Sequence, residues 1–189
     1  AALQLPYRLI PAVYLDAEAC SLLSLAQASP MAIQTMAASE IGCALAHQNA
    51  YAAAQASGAA HVLILEDDAE LSPRLAALLA ERESLPAYDV ILLGRAKISR
   101  HEYQMSRWYY PVRTAFRVAG LQVGLTRRVR RSGALAYLVS ATGLRKLQAT
   151  NLPIRTVADD WPLFITNLDV LQTCPLIAYE DYPSKGSEI

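Results

Sequence analysis

The stretch His61-Val62-Leu63-Ile64-Leu65 is a continuous apolar run that ends abruptly in three consecutive carboxylates, Glu66-Asp67-Asp68. A short run without polar alternation predicts a strand buried on both faces, as in a sheet covered by helices on either side. Tyr88 to Leu93, closed by Gly94, and Ala134 to Val139 repeat the pattern. Helix signals separate these runs. One helix is predicted from about Ser39 or Glu40 to Ser57, with Gly58 as its stop. Another follows Ser72-Pro73, a cap and a first-turn proline, and runs to about Arg82. A third spans Ala141 to about Ala149 behind Ser140, ended by Asn151, and Asp159 or Asp160 opens a short helical piece. Leu9 to Leu15 reads as an extended piece broken by Pro11, and Val170 to Tyr179 as a final strand interrupted by Pro175. This alternation predicts an α/β domain with a mostly parallel sheet. In such sheets ligands bind beyond the carboxyl ends of the strands, and Glu66-Asp67-Asp68 would sit at one such end.

A chain of 189 residues suits a single domain, 1–189, with a core large enough to need neither disulfides nor a structural metal. No apolar run reaches the length of a membrane span. The amino end, Ala1-Ala2-Leu3-Gln4, has no charged n-region and no apolar h-region, so no signal peptide is expected there. Cys20, Cys43 and Cys174 are odd in number and lie far apart, which predicts reduced, buried thiols in a cytoplasmic protein rather than a disulfide framework or a zinc site. Net charge is zero, yet 10 of the 17 basic residues fall between Arg95 and Arg131 against the single acid Glu102. That segment therefore carries +9 and the rest of the chain −9. Such asymmetry points to an anionic partner, a phosphate or an acidic lipid surface, or else to a solvated basic loop. No nucleic-acid module motif accompanies the charge, so no nucleic-acid partner is expected. The segment, with Trp108-Tyr109-Tyr110-Pro111 inside it, is expected to be loop and short strands.

Three groups of residues carry chemistry. Adjacent carboxylates raise one another's pKa unless a cation compensates, so Glu66-Asp67-Asp68 is a candidate site for Mg²⁺ or Mn²⁺. On an extended segment Glu66 and Asp68 would point one way and Asp67 the other. The alternative is an acidic loop capping the next helix. Glu40, Cys43, His47 and Tyr51 fall on one helical stripe, which either orients substrate near the acidic strand end or packs in the core. Asp159-Asp160-Trp161 offers a general base beside a sugar-stacking surface, or a helix cap favoured by the helix dipole.

Glu40-Ile41-Gly42-Cys43-Ala44-Leu45-Ala46-His47 followed by Leu63-Ile64-Leu65-Glu66-Asp67-Asp68-Ala69 resembles glycosyltransferase family 25, the bacterial lipooligosaccharide β-galactosyltransferases. Family members carry Glu-x-Gly-Cys-x-x-Ser-His and then an apolar strand ending in Glu-Asp-Asp. Gly133 to Ser140 with Gly143 and Leu147, and Pro153 followed by Asp159-Asp160, resemble further family segments. The resemblance implies a GT-A-like, Rossmann-like nucleotide-sugar domain. It implies transfer of galactose or a related hexose from a UDP-sugar to a lipid-linked oligosaccharide acceptor, with inversion. Glu66 and Asp68 would hold Mn²⁺ (or Mg²⁺) and the donor, with Asp67, Glu40 and His47 around it, and Asp159 or Asp160 would be the base. Trp108, Tyr109 and Trp161 would meet the acceptor, and the basic segment would touch the inner membrane face. Two departures stand out: Ala46 replaces the family's Ser, and no counterpart of the family's first strand, with its Asn-Leu-Asp, precedes Leu9. A non-catalytic sugar- or lipopolysaccharide-binding remnant of the same fold and a metal-dependent phosphoester hydrolase are the competing readings.

Overall fold

The structure, a computed structural model, describes residues 6–126, 133 and 135–180. Helices α1 (Ala17–Ser21), α2 (Pro30–Thr35) and α3 (Ala38–Ala56) lead into strand β1 (His61–Leu65). Then come β2 (Ala69–Leu71), α4 (Arg74–Ala80), β3 (Val90–Leu92) and β4 (Gly94–Arg95). The basic segment contributes α5 (Arg100–Gln104), α6 (Ser106–Tyr109), β5 (Val112–Val118) and β6 (Leu121–Thr126). The chain closes with β7 (Ala136–Ser140), α7 (Ala141–Asn151), α8 (Trp161–Phe164), β8 (Val170–Cys174) and β9 (Ala178–Glu180).

Six strands form the main sheet in the order β1-β7-β3-β8-β6-β5, and β2-β9-β4 form a smaller one. The expectation of a mostly parallel sheet is corrected. In the main sheet only β3 and β8 pair in parallel; the other four contacts are antiparallel. The cause is insertion. β1 and β3 run the same way, as their helical crossover through α4 requires, but β7 enters between them antiparallel to both. The basic segment, expected to be loop and short strands, folds the β5–β6 hairpin, which adds further antiparallel pairing, and also two short helices that were not expected. Because β1, β3 and β8 are co-directional, their carboxyl ends still open on one side of the molecule. There the chain passes from β3 into β4 and from β8 towards β9, so the small sheet stands beyond the ends of these strands.

Both faces of the main sheet are covered at its centre, which is why β3 and β7 read as apolar runs. On one face Val90, Leu92, Tyr137, Val139 and Val170 pack with Tyr51, Leu144, Leu147, Trp161 and Phe164 from α3, α7 and α8. On the other, Ile91, Leu138 and Leu171 meet Leu75 and Leu78 of α4 and Val118, Leu121 and Val123 of the hairpin. β1 lies at one edge, and its residues Val62, Leu63 and Ile64 are only half-buried. The amino-terminal helices form a separate cluster against α3 through Cys20, Ala28, Ala32, Ile41 and Ala44.

The caps follow the sequence. Ser140 Oγ accepts from Gly143 N–H at 3.0 Å to start α7, and Gly58, at φ +68°, follows α3 where only a residue without Cβ is at ease. Gly143 lies so close to the entry of β3 that a Cβ there would collide with Asp89 O. Gly143→Ala is therefore expected to destabilise the chain by roughly 1–3 kcal/mol in urea unfolding, despite alanine's better helix propensity. A neutral or stabilising result would mean that α7 can lift off the sheet.

Candidate active site

Strand β1 delivers Glu66 to the end of the sheet. Its N–H donates to Leu135 O at 2.9 Å, and the chain then turns, with Ala69 N–H donating to Glu66 O at 3.3 Å. The three carboxylates thus lie on a tight turn between β1 and β2, not on an extended segment. Glu66 and Asp68 are half-buried while Asp67 is exposed. The division anticipated from strand alternation is produced here by the turn.

Charge is crowded at this turn. Burial, and after it the charges of Asp68, Asp159, Glu180 and Asp67, push the Glu66 carboxyl up to about 7. The Cys43 thiol is raised by burial and then by Glu66 and Asp159. The carboxyl of Asp159 is also raised, chiefly by burial, against the opposing effect of Gly133 N–H, which donates to its Oδ2 at 3.0 Å, and of the Lys97 charge. Cys43, Glu66, Asp68, Asp159 and Glu180 therefore share one neighbourhood although four separate segments supply them. Lys97 belongs to it too: its backbone sits in the left-handed region at φ 56°, and its N–H donates to Glu180 Oε2 at 3.0 Å. A lysine held in that conformation beside clustered acids stores strain of a kind found at functional sites.

Helix α3 brings its stripe down onto the same place. His47 Nε2 stands 3.9 Å from Glu66 Oε1, and His47 Nδ1 is 2.9 Å from the hydroxyl of Tyr137 on β7. Burial lowers the His47 pKa to about 4, so its imidazole is neutral at pH 7. Tyr51, a turn further on, has its hydroxyl 2.8 Å from that of Tyr137. Glu40 does not join them. It is exposed at the start of α3, where its Oε2 accepts from Ala37 N–H at 2.8 Å and caps its own helix.

The two acids before α8 have different surroundings. Asp159 faces the cluster, whereas Asp160 Oδ2 accepts from the Thr156 hydroxyl at 2.7 Å. The sugar-stacking surface expected at Trp161 is not found. Trp161 is 1% exposed, edge-on to Tyr137 at 5.4 Å and to Phe164 at 5.6 Å, and it is a core residue. Trp108 and Tyr109, by contrast, are exposed on α6, at 77% and 46%. The basic segment is not uniformly a surface. Arg95 is buried, with Nη2 and Nε donating to Gln172 Oε1 at 2.7 and 3.2 Å and its guanidinium 4.6 Å from the Tyr110 ring centre. Lys97, Arg100, Arg107, Arg113 and Arg117 are exposed, while Arg127, Arg128, Arg130 and Arg131 lie outside the described residues. Of the cysteines, Cys20 and Cys174 are buried and Cys43 is exposed, contrary to the expectation that all three are buried.

The sequence reading missed Tyr137, Lys97, Glu180 and the Gly133 N–H as parts of this neighbourhood. Tyr137 carried a signal, as the one side chain with a polar tip in an aliphatic run. Glu180 and Lys97 carried none, because the small sheet that brings them in could not be foreseen. Among the described residues no three His, Cys, Asp or Glu side chains gather as a ready-made metal set, and no helix is long and apolar enough to cross a membrane.

A comparison with curated proteins finds no match. The model of glycosyltransferase family 25, described as an LPS biosynthesis protein, matches residues 1–161. That span runs from the amino-terminal helices through the acidic turn, the strand of Tyr137 and the pair Asp159-Asp160, and the chain belongs to glycosyltransferase family 25.

Proposed function

We propose that the chain transfers galactose or a related hexose from a UDP-sugar to a lipooligosaccharide or lipopolysaccharide acceptor, with inversion, through a GT-A-like donor site at the carboxyl end of β1. The observation that carries this reading is the crowding of acids around the turn, where the charges of Asp68, Asp159, Glu180 and Asp67 add to burial in raising Glu66, with the neutral His47 3.9 Å behind it. In this reading Glu66 and Asp68 hold Mn²⁺ (or Mg²⁺) together with the donor, and Asp67 braces the turn. The fit is chemical. Hard carboxylate oxygens at a turn where burial, and after it the neighbouring acids, raise Glu66 to about 7 suit a divalent cation that takes its remaining ligands from water and diphosphate. When bound, such an ion offsets the charge that develops on the departing UDP.

The protein's own groups account for the rest. Asp159, its Oδ2 fixed by Gly133 N–H, accepts the proton of the acceptor hydroxyl as that oxygen attacks the sugar carbon. A single displacement inverts the centre and needs no covalent nucleophile. Trp108 and Tyr109 offer exposed aromatic faces to acceptor sugars. The exposed bases Lys97, Arg100, Arg107, Arg113 and Arg117 give the same segment an affinity for phosphates or for an anionic membrane surface on the cytoplasmic side.

Calorimetry with UDP and with UDP-galactose, in Mn²⁺ and in EDTA, tests the donor site. Metal-dependent binding is expected in the native chain and its loss in Asp68→Asn. Sugar or lipid binding with no metal-dependent nucleotide binding would instead identify a non-catalytic binding module.

A further inference from the structure

Three side chains from two elements stand in line behind Glu66. Tyr51 and His47 come from α3 and Tyr137 from β7, and the ring planes of His47 and Tyr137 lie within 15° of each other with centroids 6.2 Å apart. Tyr137 is fully buried and Tyr51 nearly so, at 0% and 2% exposure. Each hydroxyl has one proton to place, and a neutral imidazole has one N–H and one lone pair.

Only one arrangement of these protons leaves no buried hydroxyl donor stranded. Suppose His47 Nδ1–H donated to Tyr137, and Tyr137 to Tyr51. The Tyr51 proton would then have no acceptor, since among the described residues its hydroxyl meets only that of Tyr137. In the opposite direction Tyr51 O–H donates to Tyr137, Tyr137 O–H donates to His47 Nδ1, and His47 Nε2–H points towards Glu66. Both hydroxyl protons then have acceptors, and the Nε2–H is left on the side of Glu66, 3.9 Å away. Leaving a buried donor unmade costs more than leaving one lone pair of an oxygen unused, so the second direction is favoured.

We infer that Tyr137, with Tyr51 donating to its oxygen, is a positioning residue that locks His47 in its Nε2–H tautomer, so that His47 presents a fixed N–H towards the Glu66 carboxyl, 3.9 Å away. Successive donors in such a chain polarise one another, which strengthens the last one. The tautomer assignment rests on the geometry alone; its consequence for donor binding rests on the function proposed above. Partners that orient a ligand-bearing side chain in this way are typically worth about 10- to 100-fold in metal affinity.

Long-range proton–nitrogen NMR correlations on histidine-labelled protein test the inference, because they report which ring nitrogen carries the proton. The chain has three histidines, and His61→Asn and His101→Asn identify the His47 signals. The wild type is expected to show the Nε2–H form of His47. Tyr51→Phe is expected to keep that form, since Tyr137 still donates, and Tyr137→Phe to lose it to a mixture. A wild-type Nδ1–H signal overturns the inference without any variant, and so does a Tyr137→Phe signal identical to that of the wild type. The UDP affinity measured in Mn²⁺ is then expected to fall about 10- to 100-fold in Tyr137→Phe. A wild type that shows the Nε2–H form but binds no UDP would sink the donor reading and leave the tautomer lock standing, whereas UDP binding unchanged in Tyr137→Phe would remove the lock's functional consequence.

Discussion

Asp159→Asn is expected to lower the rate of sugar transfer by roughly 10²- to 10⁴-fold and to leave UDP affinity within a few-fold of the native value. The substitution is conservative in shape. The Asn side-chain oxygen can still accept from Gly133 N–H, the contact that holds Asp159 Oδ2 at 3.0 Å, so the loop keeps its place and only the basic oxygen is lost. Burial, aided by the charge of Asp160, raises the Asp159 carboxyl, and a base raised towards the working pH takes a proton with more driving force. Asp160→Asn is the control. Asp160 already accepts from the Thr156 hydroxyl at 2.7 Å, so its replacement is expected to change stability slightly and the rate little. Steady-state kinetics on the two variants distinguish the roles. Loss in Asp160→Asn with Asp159→Asn intact would reassign the base, and equal, small losses in both would remove the base from this loop altogether.

Glu66→Gln is expected to act in two opposed ways. Metal-dependent UDP binding should disappear, because a neutral amide is a poor substitute for a carboxylate on a hard cation. The unliganded protein, however, should become more stable in alkali. The sign follows from linkage. The Glu66 carboxyl rises from an ordinary 4.5 to about 7 in the fold, so the folded chain binds its proton more tightly than the unfolded chain does. Stability is then greatest below about pH 4.5 and declines as the pH rises to about 7, where Glu66 is ionised in both states. The variant has no such decline. Allowing for solvent screening at a side chain 35% exposed, its advantage at about pH 8 should be near 1 kcal/mol, shrinking to nothing near pH 4. His47 titrates oppositely. Its pKa is lowered to about 4, so its contribution is present above its ordinary 6.5 and is lost as the pH falls through about 4. That slope is common to both proteins and largely cancels in their difference. Urea unfolding at the two pH values, without metal, is the measurement. A variant less stable than the native chain at pH 8 would show that neither burial nor the neighbouring acids disfavour the charge of Glu66, and the cation site would lose its electrostatic rationale.

The sequence was legible wherever one residue pattern had one structural outcome. The apolar runs at 88–93 and 134–139 read as buried strands because β3 and β7 are covered on both faces, whereas the run at 61–65 is a strand at the sheet edge and only half-buried, contrary to the expectation of burial on both faces. Ser140 and Gly58 marked helix boundaries because capping is local chemistry. Strand direction was not legible. Nothing within Ala136 to Ser140 says that this strand slips between β1 and β3, since insertion depends on a crossover through the long basic segment. The stripe on α3 was half readable. Spacing put Glu40, Cys43, His47 and Tyr51 on one side, but where that side meets the sheet decides that Glu40 ends as a cap while His47 reaches Glu66. Trp161 misled for a related reason. An aromatic after two acids resembles a binding platform in one dimension, and only the packing of α8 under β7 turns it inward.

Among the described residues, the strand that carries the acidic turn is also the outermost strand of its sheet. Along its five residues, His-Val-Leu-Ile-Leu, there is no lysine, no proline and no bulge to discourage a newcomer, and one row of its backbone groups faces away from β7. Such a border is a template for adding chain to chain. The protein at high concentration is therefore expected to self-associate through the ribbon next to the chemistry, which size-exclusion chromatography over a concentration series would show as a shift to larger species.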